Sequence, residues 1–417
     1  MQYNIHKNNF HDYFIIGILV SALVGTVQYS LLGHAFLAGM FCLPAAIKEI
    51  HISLKQKVQP IIAFMVTFIS YAIISTLWTP QQDLLLREIW NLIWNTIIFL
   101  GLFNHARYAN NPNDSFLKGL RILICSTLII AAWEVTTNSH IPGFGDFNAD
   151  TQIATEYGFE QRVFAAVTYR NLNTYVTLLC MALPFLIYGL FVLPHKWISL
   201  IAIIGSVLIL IINSSRGGLM CLIVDLMIFA CLYRKQQFAY KKTVTVITLL
   251  AITFFIYRYG FIVAEQAIGR ISSYGKEDIM ADAGRWDVWR MGIEFCINSW
   301  GFGWGVGSMQ PIYQSTGFWL HRSHNLVIEF LLQYGVWLFI PFGILLTKQW
   351  VYLIREENIS KKMLGLMLLL SFVPLVIIDD TYLTRTFFWI WLFMQFTITN
   401  NSNNSYENWH SDIPSCS

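Results

Sequence analysis

Runs of roughly 20 apolar residues, the length that crosses a bilayer as a helix, recur along this chain. They fall at about 13–30, 31–47, 60–78, 89–104, 117–135, 172–193, 198–213, 217–233, 243–262, 324–347, 362–378 and 384–398. In lipid each run must satisfy its own backbone, and runs of this length do so as helices. The expectation is an all-α polytopic membrane protein with about twelve transmembrane helices, in which 13–30 and 31–47 are separated by no charged break. The composition of the 417 residues, 56% hydrophobic and 12% charged, agrees with that class. A net charge of +3 gives no reason to expect nucleic acid as a partner.

Basic residues set the orientation. With the N-terminus taken as cytoplasmic, the inner loops hold Lys48, Lys55, Lys57, Arg107, Lys118, Arg121, Lys196, Arg234, Lys235, Lys241, Lys242, Lys348, Arg355, Lys361 and Lys362. The short outer loops carry few, such as Arg87, Arg216 and Arg385. Both termini are therefore expected in the cytoplasm. The first run lacks a basic leader followed by a small-residue cleavage site, so it reads as an uncleaved helix. Cys296 alone of the seven cysteines falls in an outer loop, which leaves no disulfide pair and no CxxC metal site there.

The chain reads as one transmembrane domain, 1–399, with a disordered cytoplasmic tail, 400–417. Two polar segments lie outside the membrane, at 136–171 and 263–323, the second immediately before the tenth helix. In the second, Trp286, Trp289, Ile293 and Cys296 recur at helical spacing, which suggests an amphipathic helix at the membrane surface.

The candidate chemistry gathers on that outer side. Arg216 stands in an SSRGG turn between two apolar runs, where Ser214, Ser215, Gly217 and Gly218 leave the backbone open to a ligand. A guanidinium there meets an anion or snorkels to the interface. Arg285 reads as opening the amphipathic helix, where a bound phosphate would explain a cation at the positive end; pairing with Asp282 or Asp287 explains it as well. Gly301, Gly303, Gly305 and Gly307 alternate with Phe302, Trp304 and Val306. Without a preceding strand this is no nucleotide fingerprint, but a tight loop with aromatic wedges whose amides are available to a phosphate or sugar.

Ser323 reads as the N-cap of a long apolar helix that begins at His324. The positive helix end keeps imidazole neutral, as a general base requires; an interfacial histidine with a structural hydrogen bond fits equally. Arg290, Arg322 and Asn325 lie close enough in sequence to support the site. Glu277, Asp278 and Asp282 match no metal-loop spacing, so neither metal nor cofactor is expected. Asp379 and Asp380 either pair with Arg385 or contribute to the site.

Taken in order, SSRGG, GRWDVW, the glycine run and SHNLVIEFLLQYGVW resemble the O-antigen ligase and polymerase superfamily over about 200–340, while WEVTTNSHIP and TYRNLNTY are similar to its capsule-polymerase members. One departure is Ser299 and Trp300, where the family often has a proline before the glycines. The resemblance implies a helical fold of the C type among glycosyltransferases in the bacterial inner membrane, with an extracytoplasmic active site. It implies a donor glycan on undecaprenyl diphosphate, whose diphosphate Arg216 and Arg285 would hold while His324 activates the acceptor hydroxyl. It further implies metal-independent, inverting transfer, with a chain-length regulator or other polysaccharide-assembly proteins as partners.

A polymerase of capsule or O-antigen and a ligase that transfers the glycan to lipid A core share this donor chemistry and differ in acceptor. A flippase for lipid-linked oligosaccharide is the reading from another class. It calls for charged or broken helices at mid-membrane, whereas here Asp225 is the main polar exception within a span.

Overall fold

The computed structural model describes residues 9–24, 28–29, 32–55, 59–79, 82–141, 163–169, 171–213, 215–233, 278–317, 322–379 and 382–400. These residues form helices α1 (Asn9–Ser21), α2 (His34–Lys55), α3 (Pro60–Ile74), α4 (Gln82–Tyr108), α5 (Pro112–Thr137), α6 (Leu172–Val192) and α7 (Lys196–Asn213). They continue as α8 (Arg216–Tyr233), α9 (Asp278–Asn298), α10 (Met309–Ser315), α11 (Leu326–Arg355), α12 (Ile359–Leu375) and α13 (Thr386–Asn400).

Among the described residues seven helices are long and apolar enough to cross a bilayer, and Asn9–Val24, Gly217–Leu232 and Thr386–Ile398 are shorter apolar helices. The protein is thus a polytopic α-helical membrane protein. The predicted span 243–262 lies outside the described residues. The unbroken apolar stretch 13–47 is divided by a small antiparallel hairpin that pairs Gln28 with Gly33 and Tyr29 with Leu32.

Helix α6 forms the centre: 89% of its most apolar window is buried, against 33% in α2. Its start is fixed by Asn171, whose side chain accepts the Asn173 amide at 2.8 Å. Around it pack α5, α7, α8, α12 and α13. Proline sits inside α2, α6, α11 and α12, as membrane helices tolerate where neighbours satisfy the freed backbone.

Helix α11 is two helices joined at Gly335, whose φ of 75° is left-handed. The short half, from Leu326, carries the approach to His324, and the long half continues to Arg355. Aromatic rings brace the junction: Phe68 of α3 stacks on Tyr334 at 4.5 Å, and Phe330 stacks on Phe342 at 5.2 Å.

Of the first polar segment, residues 142–162 lie outside the described residues. Its last stretch is held under the helix ends by two buried side chains. Asn213 accepts the Ala165 amide and donates to the Ala165 carbonyl, both at 2.8 Å. Glu134 accepts the amides of Ala166 and Val167 at 2.9 and 2.8 Å.

Candidate active site

Arg216 is the first residue of α8 rather than part of an open turn. Ser215 precedes it, and its carbonyl accepts the Leu219 amide at 2.8 Å, closing the first helical turn. The two glycines that follow do not leave the backbone open, as the sequence suggested. A Cβ on Gly217 would stand 2.7 Å from Ile378 Cγ1, and one on Gly218 would stand 2.6 Å from Val176 Cγ1. Their small size lets α8 lie against the end of α12 and against α6, which fixes the positive helix end, with Arg216, beside residues 374–378. The side chain of Arg216 lies outside the described ones.

His324 does not begin the helix, and Ser323 is not its cap. Asn325 is the N-cap: its backbone is extended and its Oδ1 accepts the amides of Val327 at 2.9 Å and Ile328 at 3.3 Å. Both residue types cap well, but only the residue directly before the first helical one can reach those amides. Ser323 instead turns inward, fully buried, and donates to the Asn325 carbonyl at 3.1 Å. Between them the half-buried His324 has φ of 46°, a left-handed kink that aims the chain into the helix.

This turn is tied to its surroundings twice. The Trp289 indole donates to the Ser323 carbonyl at 2.7 Å, and the Leu326 amide donates to the Val376 carbonyl at 2.8 Å. Residues 374–378 therefore meet both the start of α8 and the turn of His324. Gly217 and Leu326, which adjoin Arg216 and the His324 turn and lie more than 100 positions apart in sequence, share one short segment as their common neighbour.

Arg285 does not open its helix. α9 starts at Asp278, so Arg285 lies two turns inside, and the helix-end argument for a phosphate there does not apply. It sits one turn before Trp289, on the same side of the helix, and so near the Ser323 turn. Its side chain, like those of Asp278 and Asp282, lies outside the described ones, and Glu277 lies outside the described residues.

The predicted apolar stripe of α9 is two faces. Trp286 and Ile293 are exposed, whereas Cys296 is buried and Val288 packs with Met309, Ile312, Tyr313 and Leu332. Burial pushes the Cys296 thiol up, in keeping with a packing role. Arg290 is exposed and pairs along the helix with Asp287 at 3.5 Å and Glu294 at 3.9 Å. Arg322 is half-buried and lies in the field of Glu88 of α4.

The glycine run is sewn into the break of α11. The amides of Trp304 and Gly305 donate to the Leu332 and Gln333 carbonyls at 2.8 and 3.0 Å, and the Val336 amide returns a bond to the Gly301 carbonyl at 2.8 Å. These are the groups that the interruption at Gly335 leaves without helical partners. The Gly303 amide goes to Ser299 Oγ and the Gly307 amide to Gln333 Oε1, each at 2.8 Å, and Tyr71 of α3 donates to the Phe302 carbonyl. Ser299, at the departure from the family pattern, thus acquires a structural use. The amides expected to face a ligand are committed inside the protein, so Gly303 and Gly305 shape the loop without offering donors. The aromatic wedges do project, with Trp300 87% exposed and Phe302 56% exposed.

The third wall holds the pairing of Asp379 with Arg385 that the sequence offered, and a glutamate that it did not. Asp379 accepts from the Thr174 hydroxyl at 3.0 Å and pairs with Arg385 at 3.9 Å, while Asp380 lies outside the described residues. Glu329 of α11 accepts the amides of Tyr382 and Leu383 at 2.8 and 3.3 Å. A glutamate one turn inside an apolar helix was the available signal. Among the described residues no group of three or more His, Cys, Asp or Glu side chains is placed to hold a metal ion.

Residues 200–343 match the family model described as O-antigen ligase. No curated protein matches the chain. The matched stretch runs from α7 into the long half of α11 and so contains Arg216, Arg285, the glycine run and His324. Through this region the multi-pass membrane protein described here is similar to the O-antigen ligase family.

Proposed function

We propose that this protein is a capsule or O-antigen polymerase. In this reading it has about twelve spans and a fold of the C type among glycosyltransferases, lies in the bacterial inner membrane with both termini cytoplasmic, and works on the outer face. The observation that carries the reading is the convergence of the α8 start and the His324 turn on residues 374–378. A positive helix end and a candidate base that adjoin one segment support the reading, since displacement at a sugar carbon needs both.

In the proposed reaction His324 takes the proton of an acceptor hydroxyl, whose oxygen bonds to the anomeric carbon of the donor from the face opposite the leaving group. The bond from that carbon to the diphosphate oxygen breaks, and undecaprenyl diphosphate leaves with the electron pair. Arg216 and Arg285 offset its charge, which planar guanidinium groups do well through paired hydrogen bonds. A single displacement inverts the sugar carbon. With two guanidinium groups in this role, no divalent ion is called for.

The test is reconstitution of the purified full-length protein with an undecaprenyl diphosphate-linked repeat unit, with and without EDTA, and separation of products by length. A ladder that persists in EDTA and vanishes with His324→Ala is the expected result. Transfer seen only when lipid A core is supplied would make the protein a ligase. No transfer to either acceptor would overturn the reading.

A further inference from the structure

Two fully buried glutamates hold loops in the same way. Glu134 takes the successive amides of Ala166 and Val167, and Glu329 takes those of Tyr382 and Leu383. An ionised carboxylate only accepts hydrogen bonds, and in a dry setting two backbone amides are strong partners for it. The loop that Glu329 holds is continuous with the residues that meet Gly217, next to Arg216, and Leu326, two residues after His324.

That loop is internally braced. The Tyr382 hydroxyl accepts the amides of Ile378 at 3.2 Å and Asp379 at 3.0 Å and donates to the Leu375 carbonyl. Val376 is bonded to the turn after His324, and Ile378 rests on Gly217 next to Arg216. The braced segment is thus a spacer between the candidate base and the start of α8. Glu329 itself sits on the short half of α11, five residues after His324 and before the break at Gly335.

We infer that Glu329 is a positioning residue for the proposed transfer, fixing Tyr382 and Leu383, and through the Tyr382 hydroxyl residues 375–379, so that His324 and the Arg216 helix start keep a set separation. It touches no reacting atom. The inference rests on the function proposed above.

A glutamine at 329 offers one acceptor oxygen and turns amide donors toward a backbone donor, so at least one of the two bonds is lost. Displacement of a reacting group by about 1 Å costs on the order of 100-fold in rate. The experiment compares wild type with Glu329→Gln, full length and reconstituted with the undecaprenyl diphosphate-linked repeat, and measures kcat, donor KM and the melting temperature. The expected result is a fall in kcat of about 10- to 100-fold with donor KM changed by less than about threefold, because donor binding is left to the arginines.

Glu329→Asp retains the charge but is one methylene too short for both amides. It carries the same expectation if the glutamine variant does not accumulate in the membrane. Unchanged kcat in a folded variant overturns the inference. So does a loss of kcat that tracks a rise in KM and a lowered melting temperature, since that is the behaviour of a merely structural residue. Absence of product from wild type is a different outcome: it removes the proposed function itself.

Discussion

A Cβ on Gly303 would stand 2.7 Å from the amide nitrogen of Gly335, so the two backbones touch where α11 breaks. Any side chain at Gly335 meets Phe302 main-chain atoms and must also adopt φ of 75°. Gly335→Ala is expected to lower stability by more than about 2 kcal/mol, from left-handed strain plus displacement of the loop. Gly343 has open space around its Cα, so Gly343→Ala serves as the neutral comparison. Thermal melting of both variants in detergent decides the matter.

Arg216→Ala and Arg285→Ala should each reduce kcat/KM by roughly 100-fold or more, with lysine restoring only part, since it lacks the planar fork. Initial rates at matched protein levels measure this. Intact transfer in either alanine variant would remove that arginine from the leaving-group site.

His324→Ala should cost about 10² to 10⁴ in rate. The sign of the pH dependence follows from its role: a base must be neutral, so the wild-type rate falls as acid protonates the ring. A rate–pH profile whose acid limb survives in the alanine variant would assign that limb to another group.

Asn325→Ala removes the cap of the short half-helix, which should cost about 1 kcal/mol and lower transfer even though His324 is intact. Asn325→Asp keeps an accepting oxygen in place and should retain both stability and rate. Melting temperature and initial rate of the two variants, read together, test the link between cap and base.

Asp225 is fully buried within α8, and among the described residues neither carboxyl oxygen has a hydrogen-bond partner. An acid placed mid-helix in a membrane costs about 2.5 to 3.5 kcal/mol, so Asp225→Leu should raise the melting temperature and leave transfer unchanged. A folded Asp225→Leu protein without activity would show that this carboxyl has a function in the reaction cycle.

Where the sequence reading succeeded, it relied on signals that are local. The apolar run 172–193 corresponds to α6, Leu172–Val192, because length and hydropathy suffice to define a span. The tenth run, placed at 324–347, became a helix from Leu326 to Arg355 with a break inside. Gly335 gave no warning, since glycine is common within membrane helices. The SHN triplet contains two good caps, and choosing Asn325 over Ser323 needs the backbone angles. Arg285 seemed to open α9 because Gly284 and the polar residues before it resemble a loop, although a surface helix accepts them. The role of Glu329 comes from contacts more than 50 positions apart in sequence, which no periodicity encodes.

The interruption of α11 also separates two lengths that a continuous helix would lock together. Helices whose apolar length differs from the local bilayer thickness tilt or shift to compensate. Here the short half, which follows His324 and carries Glu329, is fastened to Val376, Tyr382 and Leu383, and the break itself to the glycine run. The depth of His324, the proposed base, relative to the start of α8 is then set by protein contacts rather than by acyl-chain length. Turnover should therefore vary little between vesicles of shorter and longer phospholipids, even as the outer helices readjust.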